Sequence, residues 1–139
     1  MRVAFAGLLT VFAFALIASP LHAHHGSAGY DMANMTIRKA TVTGFEWANP
    51  HCQVFFDITD DKGNVVHWTI EAPPPTILVE RNWTRKSLKS GDVVTAYFHA
   101  SKNGAPVGIL QKVYFADGMG LWAYPDPQPG QAAPPADPK

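Results

Sequence analysis

The chain has almost no cysteine, no surplus of either charge and, after its first residues, no long apolar run. Cys52 is the only cysteine among 139 residues, so an intrachain disulfide is impossible. Lys and Arg together number 11, and so do Asp and Glu. Because nucleic-acid binding needs Lys and Arg in excess to neutralise phosphates, this balance argues against a nucleic-acid partner. The chain is therefore neither a disulfide scaffold nor a typical nucleic-acid binder.

Familiar catalytic motifs are also missing. The sequence contains no Gly-x-Ser-x-Gly elbow and no Cys–His pair at a meaningful spacing. Gly26-Ser27-Ala28-Gly29 lacks the lysine and the helix that follow a phosphate-binding loop. Cys52 falls on the apolar side of a predicted strand, where we expect a small buried hydrophobic residue. We predict no catalytic residue and no enzyme with a nucleophile of its own.

The first 23 residues have the three parts of a secretory signal. Met1-Arg2 is a short basic start, Val3 to Ile17 is an apolar run, and Ser19-Pro20 breaks this run before the small residue Ala23. The run is shorter than the ~20 residues that span a bilayer, which makes a membrane anchor the weaker interpretation. We predict cleavage after Ala23, a mature chain beginning at His24, no membrane span after processing, and a periplasmic or secreted location.

Cleavage at this point would create two consecutive histidines at the new amino terminus. His24 would offer its free α-amine and its ring Nδ1 to one metal ion, and His25 would add an imidazole beside them. Such nitrogen donors suit Cu(II), Ni(II) or Zn(II). The alternative is that exported chains often begin with arbitrary polar residues.

Three regions follow the signal. Residues 24–35 form a polar arm without apolar periodicity, and residues 36–117 contain nearly all of the strand-like sequence. Residues 118–139 mix proline with Ala, Gln and Asp, which predicts a disordered or extended tail. Removal of residues 1–23 from the 139 leaves 116, a length that fits a single folded domain.

Within the middle region the apolar residues alternate with the period of strands. After a triple proline, Thr76 to Arg81 is expected to form one or two helical turns with Thr76 as the N-cap. Five strands with one short helical insertion predict an all-β fold, a small OB-like Greek-key barrel, with a sandwich as the alternative. The predicted strands are Ile37 to Trp47, His51 to Thr59, Val65 to Glu71, Val93 to Ala100 and Val107 to Ala116.

The second and third strands also predict their register. Placing both apolar sets on one face, across the turn Asp60 to Asn64, aligns the two strands residue by residue. The resulting pairs are Phe56 with Trp68, Val54 with Ile70, Asp57 with His67, and Gln53 with Glu71. The expected core residues from this hairpin are Val54, Phe56, Ile58, Val66, Trp68 and Ile70.

A histidine and a carboxylate are expected to converge on the rim of this sheet. His51 follows Asn49-Pro50 at the start of the second strand, and Glu71 ends the third strand at the same edge. Such a pair could ligate a metal ion or transfer protons. For the pair alone, a solvated salt bridge at the sheet edge is the simpler interpretation. His67 is expected to make an ordinary pair with Asp57, and His99 to be a surface residue.

Several short motifs stand out along the chain. They are His24-His25, Tyr30-Asp31, Trp47-Ala48-Asn49-Pro50-His51, Trp68 to Glu71, Asn82-Trp83-Thr84-Arg85 and Leu88-Lys89-Ser90-Gly91-Asp92. In this combination the chain resembles a family of small exported bacterial proteins classed as a domain of unknown function. It departs from the family pattern at Asn82, where glycine is usual, and at Ser90, where proline is usual. The resemblance covers about His24 to Phe115, and it implies an exported β-rich domain with a shared polar site but no named activity.

Two classes of function remain open. In the first, the protein binds a divalent transition metal, Cu or Zn, through His24, His25 and His51, with Glu71 as a fourth ligand or as the partner of a ligand. In the second, it is a metal-free module that holds a glycan, a peptide or a partner protein on a barrel face. The tryptophans available for such a face are Trp47, Trp83 and Trp122, since Trp68 is expected in the core.

Overall fold

A computed structural model describes residues 26–125, so His24, His25 and the expected cleavage site lie outside the described residues. All five predicted strands are confirmed, with ends that differ from the prediction by at most one residue. In chain order the elements are β1 (Thr36–Glu46), β2 (Cys52–Thr59), β3 (Val65–Ala72), α1 (Pro75–Glu80), β4 (Val93–Ala100), β5 (Val107–Phe115) and β6 (Gly120–Trp122). No helix among these residues is long and apolar enough to cross a membrane.

The first five strands close into a barrel. The strand order is β3-β2-β1-β4-β5, and a parallel pairing of β3 with β5 joins the two ends of this sheet. Gly108 lies at this closure, paired with Ile70 of β3, and a Cβ added there would lie 3.1 Å from Ile70 Cδ1 and 2.8 Å from the main-chain oxygen of His99 on β4. The predicted small all-β barrel with one short helix is confirmed, and the sandwich alternative is wrong because no sheet edge is left open between β3 and β5.

The β2–β3 register matches the prediction at all four predicted pairs. Val54, Phe56 and Ile70 are fully buried, and Ile58 is nearly so. Trp68 is half-buried and packs against the ring of Phe98, with centroids 5.0 Å apart. The predicted hairpin face is therefore the core face, although its outer end is partly open to solvent.

The predicted helical insertion is present, but its expected cap is wrong. α1 begins at Pro75, and Pro74 occupies the N-cap position without a side-chain hydrogen bond. Thr76 already lies inside the first turn. Proline is favourable at the first helical position. An N–H at this position has no hydrogen-bond partner within the helix, so nothing is lost when proline lacks it. The helix packs against the barrel through Leu78, which is fully buried.

The carboxyl-terminal boundary also differs from the prediction. β6 pairs with Lys112, Val113 and Tyr114 of β5, and Ala123 after it is fully buried. The expected tail therefore begins later than Gly118, and residues 126–139 lie outside the described residues. The physical reason is that β3 ends at Ala72 and pairs only with Val107–Ile109 of β5. The rest of this edge of β5 is therefore available for pairing with another strand.

Candidate functional site

His51 and Glu71 meet at the rim of the barrel, as the register predicts. His51 Nδ1 lies 3.1 Å from Glu71 Oε1, and each side chain is about one third exposed, at 34% and 37%. The cis peptide bond Asn49–Pro50 forms the corner that precedes His51. Glu71 is held in β3 by its pairing with Gln53 on β2. The contact joins the entrance of one strand to the end of its neighbour.

The geometry gives the two groups different chemical roles. His51 directs Nδ1 at the carboxylate, which leaves Nε2 as the ring nitrogen that Glu71 does not engage. A carboxylate that accepts the Nδ1 proton orients the ring and makes Nε2 a better metal ligand or proton acceptor. Glu71 is thus placed as the partner that orients the His51 ring.

The rim pair is not a complete metal site by itself. Residues 26–125 contain no group of three or more His, Cys, Asp or Glu side chains that could hold a metal ion. A structural or catalytic transition-metal site normally uses three or four protein ligands. His24 and His25, the other expected ligands, lie outside the described residues.

One residue that the sequence reasoning missed, Tyr124, also borders this pair. Burial raises the pKa of Tyr124, the negative charge of Glu71 raises it further, and the positive charge of Arg81 opposes them. Tyr124 was missed because it falls within the expected tail. The run Leu121-Trp122-Ala123-Tyr124, which interrupts the polar and proline-rich sequence, is the signal that could have found it.

β3 and β6 bring Tyr124 and Glu71 to the same edge of β5. Glu71 pairs with Ile109, and two residues further along β5 the main-chain oxygen of Gln111 accepts hydrogen bonds from the N–H groups of Ala123 and Tyr124, at 2.9 and 3.2 Å. The Gln111 side chain also donates to the main-chain oxygen of Pro125 at 2.9 Å. The carboxyl-terminal segment therefore borders the rim pair.

The N-terminal arm is fastened to β4, and the expectation for His99 is wrong. His99 is only 9% exposed, and its Nδ1 lies 3.0 and 3.1 Å from the main-chain oxygens of Asp31 and Asn34, to which a ring N–H can donate. The N–H of Asp31 donates to Ala100, and the N–H of Lys102 donates to Gly29. His99 was misassigned because the residues that cover it are distant in sequence and carry no periodic signal.

The four tryptophans do not form an exposed platform. Trp83 is 1% exposed and donates its indole N–H to the main-chain oxygen of Trp122 at 2.8 Å. Trp47 packs edge-on against Phe45, with ring centroids 5.7 Å apart. The ring of Trp122 lies 5.4 Å from Lys112 Nζ, which also lies over two tyrosine rings. Trp47, Trp68 and Trp122 are half-buried.

The remaining candidates have structural explanations. His67 Nδ1 lies 2.5 Å from Asp57 Oδ1, and the imidazole is 83% exposed, which confirms an ordinary cross-strand pair. Cys52 is fully buried, with Sγ 3.9 Å from the main-chain oxygen of Ala48. Burial raises the pKa of this thiol, so Cys52 is protonated and unreactive at neutral pH.

The fold and the rim define a small closed β-barrel protein with a histidine–carboxylate pair beside the ends of β3 and β6. The chain belongs to a family of unknown function, DUF6152, whose model matches residues 13–111. This range includes His51, Glu71 and Arg81, while Tyr124 lies beyond it. Comparisons with curated proteins and with solved structures found no match.

Proposed function

We propose that this is an exported protein that binds one divalent transition-metal ion at the barrel rim. His51 supplies Nε2, Glu71 orients the His51 ring, and His24 and His25 supply further nitrogen ligands from the amino terminus. The observation that carries the proposal is the contact of His51 Nδ1 with Glu71 Oε1 at 3.1 Å. This is the arrangement in which a carboxylate supports a metal-binding histidine through its other ring nitrogen.

The attachment of the N-terminal arm to β4 limits how far His24 and His25 can reach toward His51. Main-chain hydrogen bonds from Asp31 and to Gly29 tie the arm to the end of β4, so only the residues before Ser27 could approach His51. His24 lies three residues before Ser27, and three extended residues reach about 10 Å. The metal ion would therefore have to sit between the end of β4 and the His51 corner.

The donor set favours particular ions and a particular pH range. An amine and three imidazoles favour Cu(II) over Zn(II), following the general order of affinities. All of these nitrogens must be deprotonated to bind, so affinity should fall as the pH drops below the reference histidine value of ~6.5.

The test is a set of Cu(II) and Zn(II) titrations into closely matched proteins. The first begins at His24, the second carries one extra residue before His24, and the third contains His51→Ala. His67→Ala is the matched control, because His67 also contacts a carboxylate across β2 and β3 but lies away from the rim. We expect weaker binding in the extended protein and in His51→Ala, and unchanged binding in His67→Ala. Equal affinity in all four would exclude this metal site.

A metal-free binding module is the second candidate, and one surface feature favours it. A depression of about 390 Å³ opens on the barrel wall formed by β1, β2 and the start of β4. It is lined by Arg38, Lys39, Ala40, Thr41, Asp57, Thr59 and Val93. Cations, hydroxyls and a carboxylate together suit a polar ligand such as a glycan or a peptide. Absence of metal binding in the titrations would make this the better function.

A further inference from the structure

The first half of β1 has an open edge. Residues 36–41 pair with β4, whereas pairing with β2 begins only at Thr41 and continues to Glu46. On the side of β1 that faces β2, residues 36–40 therefore have no strand beside them within the described part of the chain. Five extended residues give an edge about 17 Å long. An unpaired edge of this kind can accept another strand.

The depression on the barrel wall lies along this open edge. Four consecutive residues of β1, from Arg38 to Thr41, line it, together with Asp57 and Thr59 of β2. Consecutive side chains of a strand point to opposite faces of the sheet, so a depression lined by all four residues follows the strand edge. Its volume of about 390 Å³ lies near the lower end of the range for ligand pockets, ~300–1,000 Å³. The space beside the edge therefore suits a short extended segment.

The open edge carries two cations that the fold does not neutralise. Arg38 and Lys39 are exposed, and neither forms an ion pair within residues 26–125. Asp57, the carboxylate in the lining, is already engaged by His67 Nδ1. This surplus of positive charge favours a partner that brings carboxylates of its own.

The charge of the edge also decides which kind of strand could pair with it. The same edge of a second copy would bring a second Arg38 and Lys39 against the first, and like charges across a strand pair are destabilising. An acidic segment would meet opposite charges instead. A peptide also supplies main-chain donors and acceptors at the spacing of the ladder, which a saccharide does not. The open edge therefore favours an acidic peptide.

We propose that the open edge of β1 binds an acidic peptide segment in extended conformation, as an added strand beside residues 36–40. Arg38 and Lys39 are adjacent and point to opposite faces, and cross-strand partners share a face, so the segment carries two consecutive acidic residues. The inference rests on the second candidate function, the metal-free binding module, and names its ligand class. It involves neither His51 nor Glu71 and needs no metal ion at the rim.

The first experiment titrates three peptides, blocked at both ends, into metal-free protein labelled with nitrogen-15. The probe is Thr-Val-Glu-Glu-Val-Thr. One control, Thr-Glu-Val-Val-Glu-Thr, has the same composition with the acidic residues separated. The other control has proline in place of both valines, which keeps the charges but removes main-chain donors. Alternate residues of a strand donate to the same neighbour, so one of the two valines donates to β1 in either register.

We expect the probe to shift the NMR signals of the main-chain amides in residues 36–40. Both control peptides should bind about 5-fold or more weakly, because each loses an ion pair or a main-chain hydrogen bond. Equal binding of the proline peptide would show attraction between charges without strand pairing and would overturn the inference. Amide shifts confined to another surface would also overturn it.

Matched protein variants test the two cations. Lys39→Met and Arg38→Gln each remove one charge from an exposed side chain, so the barrel should remain folded. Lys86→Met is the control, because Lys86 is equally exposed but lies outside the lining of the depression. We expect each edge variant to weaken binding of the probe by about 2- to 5-fold, the effect of one exposed ion pair, and the control to bind unchanged. Equal weakening in Lys86→Met would attribute the effect to overall charge and contradict a site at this edge.

Two further measurements separate the possible occupants and the two proposed functions. Trigalacturonate, an acidic saccharide, should bind more weakly than the probe, and tighter binding would leave the second candidate function with a different ligand. Shifts in residues 36–40 that grow with protein concentration alone would identify a second copy as the occupant. We expect His51→Ala to bind the probe as the natural protein does. If Cu(II) binds the natural protein and the probe does not, this inference fails and the metal proposal stands.

Discussion

Trp83 donates its indole N–H to the main-chain oxygen of Trp122 at 2.8 Å, and this hydrogen bond links the segment after α1 to β6. The two residues are 39 positions apart in the chain. Trp83 is almost completely buried and Trp122 is half-buried, so the bond is partly shielded from water. It fixes the course of the chain from β6 to Tyr124 and so helps to build the rim beside Glu71.

Replacing this donor should loosen the carboxyl-terminal segment. Trp83→Phe keeps an aromatic ring but leaves the oxygen of Trp122 without its partner, which should cost about 1–3 kcal/mol of unfolding free energy. Urea denaturation measures the loss. Trp47→Phe is the control, because Trp47 is half-buried and contacts Phe45 by its ring. An equal or smaller loss in Trp83→Phe would show that the hydrogen bond contributes little.

The two phenylalanines of β2 test the assignment of the core face. Phe56 is fully buried, whereas the neighbouring Phe55 points to the other face and is half-buried. Phe56→Ala should cost about 3–5 kcal/mol in chemical denaturation because it leaves a cavity in the barrel. Phe55→Ala should cost clearly less. A larger loss at Phe55 would contradict the observed face.

The burial of Cys52 predicts low reactivity and a dependence of stability on alkaline pH. Burial raises the pKa of the thiol in the folded protein above its value in the unfolded chain. The stabilisation by the neutral thiol is therefore complete below the ordinary cysteine pKa and is lost as the pH rises through the folded-state value. A thiol reagent at neutral pH should react slowly with native protein and rapidly after unfolding. Rapid labelling of the native protein would contradict this prediction.

Processing is tested by the mass of the exported protein. The basic start, the apolar run and Ala23 predict a mature chain that begins at His24. Intact-mass measurement on protein recovered from the periplasm or the medium should show the loss of residues 1–23. A recovered chain that still carries Met1 would refute the cleavage and remove the free amine on which the proposed metal site depends.

Local sequence patterns were sufficient to predict the barrel strands and the His51–Glu71 pair at the rim. Alternation of apolar and polar residues is a local property, and in β2 and β3 it determined both the faces and the register through Phe56 and Trp68. Because strands paired in register bring their ends together, the amino-acid sequence alone places His51 and Glu71 at one edge. The turn between the two strands is short enough that no distant part of the chain was needed for this inference.

The surroundings of that pair, in contrast, depend on the tertiary structure. β6 has three residues, too few for a periodic signal, and it forms because β3 leaves part of the β5 edge uncovered. Tyr124 is bonded to this edge through Gln111, and His99 is covered by an arm 65 to 68 residues earlier in the chain. These contacts join segments that are distant in sequence, and their energy comes from burial and hydrogen bonds that exist only after the barrel has closed.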